Sequence, residues 1–438
     1  MGDFSLIGVL VVAIVLIVFM IAKLKIHAFL SLCVASLFVA ITTGVSLDTI
    51  ASTLEKGVGG TLGFLAIIIG CGTILGKMLE ISGGAWQIAN FLLEKLGKDR
   101  ASLVMMLVGF IAGIPVFVEV GFVLLVPLVY VISRQMGINP IKIGIPLATS
   151  LMTVHCIVPP HPAATAIVSI LGAEMGKVIL LGLVCGSICA FVGGVVFMSF
   201  VKLENITFKE NALEQRSDLP SFGITLFTIL LPLVLMLSKT IFLPLVADGS
   251  SLALWIKFIG DPIVALLLSV FVSYYTLGLS RGLNMDAIFD LTSNSFAPIA
   301  GVLLIIGAGG AFNEILIASG IGEALKNTLS TLPISPIFLA WLIALILHLA
   351  IGSATVSMLS AAGIVLPLID GSGVSPEVIC IAVGSGAIGA TIVTDSLFWL
   401  VKESLQMSVG QMLKYFTSAT TIASVTGLIM SFVVSFIV

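Results

Sequence analysis

Apolar runs of about twenty residues recur from one end of this 438-residue chain to the other, and that is the length a helix needs to cross the roughly 30 Å hydrocarbon core of a bilayer. A membrane-spanning segment must satisfy its own backbone hydrogen bonds, which leaves helices or a closed barrel. A barrel would show alternating segments of about ten residues, and these runs do not alternate. Only 9% of the residues are charged and 59% are hydrophobic, against roughly 25% charged in a soluble domain. The expected fold class is therefore an all-α polytopic membrane protein.

One run is interrupted in an informative way. His155 to Thr165 reads HCIVPPHPAAT, and each of Pro159, Pro160 and Pro162 removes a backbone donor and clashes with the preceding turn. A helix broken at membrane depth is tolerated where it lines a polar cavity, which in transporters is the substrate site.

Taken in order, helices are expected near 5–22, 27–44 and 60–80, with an amphipathic surface piece at 84–97. An apolar pair follows over 102–133, interrupted by Gly113-Ile114-Pro115. Each arm is about 15 residues, short of the roughly 20 that cross a bilayer, so a re-entrant hairpin fits. The broken helix occupies 141–172 and a further span 177–201, and the polar stretch 202–220 reads as a cytoplasmic linker. The pattern then recurs: spans near 221–238, 262–279 and 295–318, a hairpin over 335–369, a broken helix over 377–405, and a last helix over 412–437.

The recurrence has a register. A shift of 237 sets Ile68, Ile69, Gly70 and Gly72 on Ile305, Ile306, Gly307 and Gly309, and further on, in a changed register of 234, Leu171 and Gly176 fall on Leu405 and Gly410. His161 then falls opposite Asp395, and the tip at Pro115 opposite Thr355. Two repeats of about five spans each, 1–201 and 221–438, have an odd number of crossings and are expected to be inverted. With the N-terminus outside, fourteen Lys and Arg face the cytoplasm and five face out, as the positive-inside rule requires. Both termini are then expected outside.

In such an arrangement four helix N-termini converge near the midplane, each with unpaired N–H groups suited to an anion. The expected substrate-binding residues are Pro115 and Glu119 at the first hairpin, Pro160 and His161 at the first break, Gly352, Ser353 and Thr355 at the second hairpin, and Thr394, Asp395 and Ser396 at the second break. Glu119, Asp395 and His161 are the expected proton-coupling groups. An intramembrane carboxylate costs at least about 2.5 kcal/mol, so function is its default explanation, with a helix cap the plainer alternative for Asp395 and His161. His155 and His348 lie within helical arms and are read as hydrogen bonds across helix interfaces. His27 reads as an interfacial anchor, and Lys77 and Glu314 as snorkelling groups near helix ends.

Other signals are set aside. Gly384 to Gly389, GSGAIG, matches the dinucleotide fingerprint but has no preceding strand, so close helix packing is the better explanation. The six cysteines lie in apolar segments without metal-ligand spacing, so no metal site or cofactor is expected. No basic cluster suggests nucleic acid, and no HExxH or G-x-S-x-G suggests an enzyme.

The stretches PPHPAATAI, FVEVGFVLLVPL, LLIIGAGGAF, GSATV and IVTDSLFWLVKE resemble the signature segments of the gluconate permease family nearly end to end. The resemblance implies a bacterial cytoplasmic-membrane symporter that imports gluconate or a related small acid with protons, and the wider ion-transporter superfamily to which that family is similar implies inverted repeats, two re-entrant hairpins, a homodimer and elevator-like movement. TIVTDSLFWLVKE, His348 and HCIVPPHPAA look more like the D-serine permease branch, so gluconate and D-serine both stand as substrates. A passive facilitator is the competing class, and sodium stands beside the proton as a coupling ion.

Overall fold

A computed structural model of the chain describes residues 2–203, 218–321, 324, 334–369, 372–393 and 395–437. Most of the polar linker and Thr394 lie outside the described residues. The first half folds as α1 (Asp3–Val18), α2 (Ala28–Thr43), α3 (Leu47–Ser82), α4 (Gly84–Leu96), α5 (Ala101–Gly113), α6 (Val118–Met136), α7 (Ile141–Ile157), α8 (Pro162–Ile170) and α9 (Met175–Phe200). The second folds as α10 (Phe222–Phe242), α11 (Ser251–Ile259), α12 (Pro262–Arg281), α13 (Met285–Ser295), α14 (Ala300–Ala318), α15 (Pro336–Ile351), α16 (Ala354–Ile369), α17 (Pro376–Ile388), α18 (Ser396–Ser404) and α19 (Val409–Val434). No strand occurs among the described residues.

The same order of elements thus occurs twice. Two helices joined by a short tip, α5/α6 and α15/α16, precede a helix interrupted mid-course, α7/α8 and α17/α18, and a long closing helix. In each half the first hairpin arm packs along the first half of the interrupted helix. Ser102 Oγ donates to Lys142 O at 2.8 Å and Ser150 Oγ to Met106 O at 2.7 Å, which ties α5 to α7. Across the second half, Trp341 Nε1 on α15 donates to Ser424 Oγ on α19 at 2.9 Å.

Two departures from the sequence expectation have physical causes. α3 begins at Leu47 rather than near 60 and runs 36 residues, about 54 Å at 1.5 Å per residue. Its polar start is held by α14: Lys56 pairs with Glu314, and a Cβ on Gly57 would stand 2.5 Å from Gly310 O. Glu314 is thereby a helix partner, and Lys77 pairs with Glu80 at 2.9 Å. The counterpart of α3 is divided into α13 and α14 by a tight turn over Ala297–Ile299, where Pro298 supplies no amide hydrogen. α11 and α13 are too short or polar to stand out as spans. Ser250 and Asn284 cap them, accepting from Ala253 N at 3.1 Å and Ala287 N at 2.8 Å.

The core sits where the interrupted helices cross. Every residue of α17 from Glu377 to Ile388 is buried, as is α7 apart from Lys142. Helices apolar on all sides belong inside a bundle, and glycines let α17 touch its neighbours: a Cβ on Gly384 would lie 2.3 Å from Cys156 O on α7, and one on Gly386 2.2 Å from Trp341 O on α15. GSGAIG is therefore a packing surface. Amphipathic α4 buries Ala85, Ile88 and Ala89 on one face. His27 caps α2, its Nδ1 accepting from Phe29 N at 3.3 Å.

Candidate functional site

The breaks and tips are built by local sequence. Pro162 occupies the first turn of α8, where its missing amide hydrogen costs nothing, and His161 is the residue before it. The second break runs from Gly389 to Asp395, whose Oδ1 caps α18 by accepting from Leu397 N at 2.6 Å. Gly352 ends α15 at φ 72°, a conformation that favours glycine. Ser353 Oγ then accepts from Val356 N at 3.4 Å in the first turn of α16. At the other tip, Glu119 lies in the first turn of α6, where the helix dipole favours a carboxylate.

These four features meet around a cavity of about 120 Å³, walled by Phe117, Glu119, His155, Ser353, Thr355, Asp395 and Ser396, with Met152, Ile305 and Leu397 among its apolar lining. It is several times larger than the roughly 10–15 Å³ one water needs. No lysine or arginine lines it among the described residues. Phe117 also lines a second cavity of about 210 Å³, with Thr73, Lys77, Glu80, Pro115, Asn294 and Ser295.

Hydrogen bonds organise the polar wall. Ser396 Oγ donates to Glu119 Oε1 at 3.3 Å, joining the second break to the first hairpin. His155 Nδ1 lies 3.2 Å from His161 Nε2, and His155 Nε2 lies 3.1 Å from Thr355 Oγ1. The Phe117 ring meets His161 edge-on, with centroids 5.5 Å apart. On the far side, His348 places Nδ1 2.8 Å from Gly389 O and Nε2 2.9 Å from Asp395 Oδ2.

Of the residues singled out by sequence, Glu119, Ser353, Thr355, Asp395 and Ser396 come together on the cavity wall. His161 stands behind His155. Pro115 lines the second cavity, Pro160 belongs to the turn of the first break, and Gly352 shapes the second tip without lining the cavity. Thr394 is outside the described residues. His161 and Asp395 do not pair with each other despite matching in the repeat: His161 bonds His155, and Asp395 bonds His348. Sequence reasoning left those two partners at ordinary helix interfaces. Their signal was position, since His348 precedes the Gly352 tip by one helical turn and His155 precedes the first break.

A family model described as GntP family permease matches residues 4–437. The chain belongs to the GntP permease family. It is 48% identical to the D-serine transporter DsdX of Escherichia coli (strain K12), over 99% of this chain and 98% of that one. It is 42% identical to a gluconate permease of Pseudomonas aeruginosa, over 97% and 96%, and 38% identical to the high-affinity gluconate transporter of Escherichia coli (strain K12), over 96% and 97%. Among solved structures its fold is similar to Neisseria gonorrhoeae MtrF, with TM-score 0.68 at 16% identity over 90% of this chain and 86% of that one. It is also similar to the Alcanivorax borkumensis YdaH transporter, with TM-score 0.67 at 16% identity over 89% of each chain. This GntP permease is a multi-pass membrane transporter and not an enzyme.

Proposed function

We propose that this GntP permease imports a small zwitterionic hydroxy amino acid of the D-serine type, together with protons, across the bacterial cytoplasmic membrane. The observation that carries the substrate is the cavity wall: two carboxylates, Glu119 and Asp395, and no Lys or Arg among its described residues. A sugar acid brings a further negative charge and no cation to balance these groups, whereas an amino acid brings an ammonium that a carboxylate can receive. Its carboxylate is suited to the Ser353 and Thr355 side, at the N-terminus of α16. The similarity to a named D-serine transporter supports the same choice. Gluconate is the second reading, supported by the named gluconate permeases.

Five titratable side chains around the cavity, Glu119, His155, His161, His348 and Asp395, favour protons over sodium. The repeated element order and the fourteen-to-five charge distribution support halves 1–201 and 221–438 as inverted repeats, with both termini outside and both hairpins re-entrant. An elevator-like movement and a homodimer are parts of this proposal that rest on the family resemblance.

In proteoliposomes, uptake of labelled D-serine is expected to be suppressed by excess D-serine and little affected by equal gluconate. Accumulation should follow an imposed pH gradient and not a sodium gradient. Saturable gluconate uptake that D-serine does not inhibit would reverse the substrate assignment.

A further inference from the structure

We infer that His348 and Asp395 jointly hold the proton carried with the substrate, and that Glu119 and His161 do not. This rests on the proton-coupled transport proposed above and assigns it to a place.

Hydrogen-bond parity carries the assignment. Gly389 O is a carbonyl and can only accept, so the hydrogen on His348 Nδ1 is committed to that 2.8 Å contact. Nε2 faces Asp395 Oδ2 at 2.9 Å, while Oδ1 of the same carboxylate accepts the Leu397 amide hydrogen. With His348 neutral and Asp395 ionised, the Nε2 lone pair would face an oxygen lone pair, both in buried side chains 1% and 5% exposed. A buried polar contact with no hydrogen between its atoms is costly. The geometry therefore holds one proton between them, as imidazolium beside carboxylate or as imidazole beside carboxylic acid.

The other titratable groups facing this pair need no such proton. Glu119 on α6 accepts from the Ser396 hydroxyl. His155 on α7 and His161 at the head of α8 share one contact that a single ring hydrogen satisfies with both rings neutral, and the Thr355 hydroxyl completes His155.

Location makes the proton transferable. His348 lies on α15, Gly389 ends α17 and Asp395 precedes α18, so moving the second hairpin away from its break parts both bonds. His348 then keeps its Nδ1 hydrogen, Asp395 becomes a free carboxylate, and the proton passes to water. While the proton is present, Glu119 is the uncompensated charge among the described residues of the wall and takes the substrate ammonium. Once it leaves, a second bare carboxylate repels the substrate carboxylate. Substrate and proton therefore favour each other's binding, and the coupling is reciprocal.

The test uses the full-length protein in proteoliposomes, reading labelled D-serine counterflow and pH-driven accumulation separately. His348→Arg keeps donors and charge beside Gly389 and Asp395 but cannot give up a proton. It is expected to retain counterflow at a reduced rate, while accumulation falls from about tenfold per pH unit for one proton to no gradient. His348→Arg or His348→Gln accumulating like the wild type would overturn the assignment. Should neither variant fold, wild-type protein in unbuffered detergent is expected to take up about one proton on binding D-serine at alkaline pH, and no uptake at any pH would overturn it. Wild-type uptake indifferent to the pH gradient is a different failure: it removes proton coupling itself.

Discussion

Glu119→Gln is expected to weaken D-serine binding by about 30-fold or more, the consequence of losing roughly 2 kcal/mol or more when one member of a desolvated charge pair is neutralised. The substitution keeps the shape of the side chain and can still accept from Ser396, so the fold around the first tip should survive. What it removes is the carboxylate proposed to meet the substrate ammonium. Titration of purified, monodisperse protein with D-serine reads the effect directly, and counterflow should fall with it. This separates Glu119 from His348: neutralising the first weakens recognition, whereas fixing a charge at the second removes proton drive and leaves exchange at a reduced rate. Unchanged affinity in Glu119→Gln would mean that the ammonium is received elsewhere.

The second large effect falls on stability. An alanine at Gly384 would place its Cβ 2.3 Å from Cys156 O, and one at Gly386 2.2 Å from Trp341 O. In both cases the obstacle is backbone, which no side-chain rotation relieves. Overpacking of this kind costs about 1–3 kcal/mol, and here it levers α17 away from α7 and α15, the contact that aligns the two breaks. Gly384→Ala and Gly386→Ala should each lower the midpoint of thermal unfolding, and together they should abolish the monodisperse species. Gly59→Ala on α3 is the control, because nothing lies within 4 Å of its added Cβ and alanine is the better helix former. Equal stability of Gly384→Ala and Gly59→Ala would refute the packing role.

Legibility in the sequence follows the physical range of each signal. The prolines of HCIVPPHPAAT act on the turn they belong to, so the break between α7 and α8 could be placed to within a few residues. Asp395 as a cap is equally local: its carboxylate meets the amide of a residue two places on. The register matching His161 with Asp395 also needs only the linear chain, whereas the expected arm length of about 15 residues falls short of the 19 residues of α6. The start of α3 was missed because its first turns are polar on their own and are held by α14, more than 200 residues away. The dividing turn between α13 and α14 was missed for a related reason, since one half keeps straight what the other bends.

The chain by itself determined that this is a helical membrane protein with two corresponding breaks, because hydrophobic length and proline chemistry are properties of contiguous residues. It also picked out five of the six polar residues that line the cavity, since charges and hydroxyls at broken helices are conspicuous against an apolar background. Which histidine meets which partner was decided only by the tertiary structure. His348 and Asp395 are 47 positions apart and His155 and Thr355 are 200 apart. Their pairing depends on how closely α7, α15 and α17 pack, and that closeness is set by glycines whose missing side chains have meaning only against the helix on the other side.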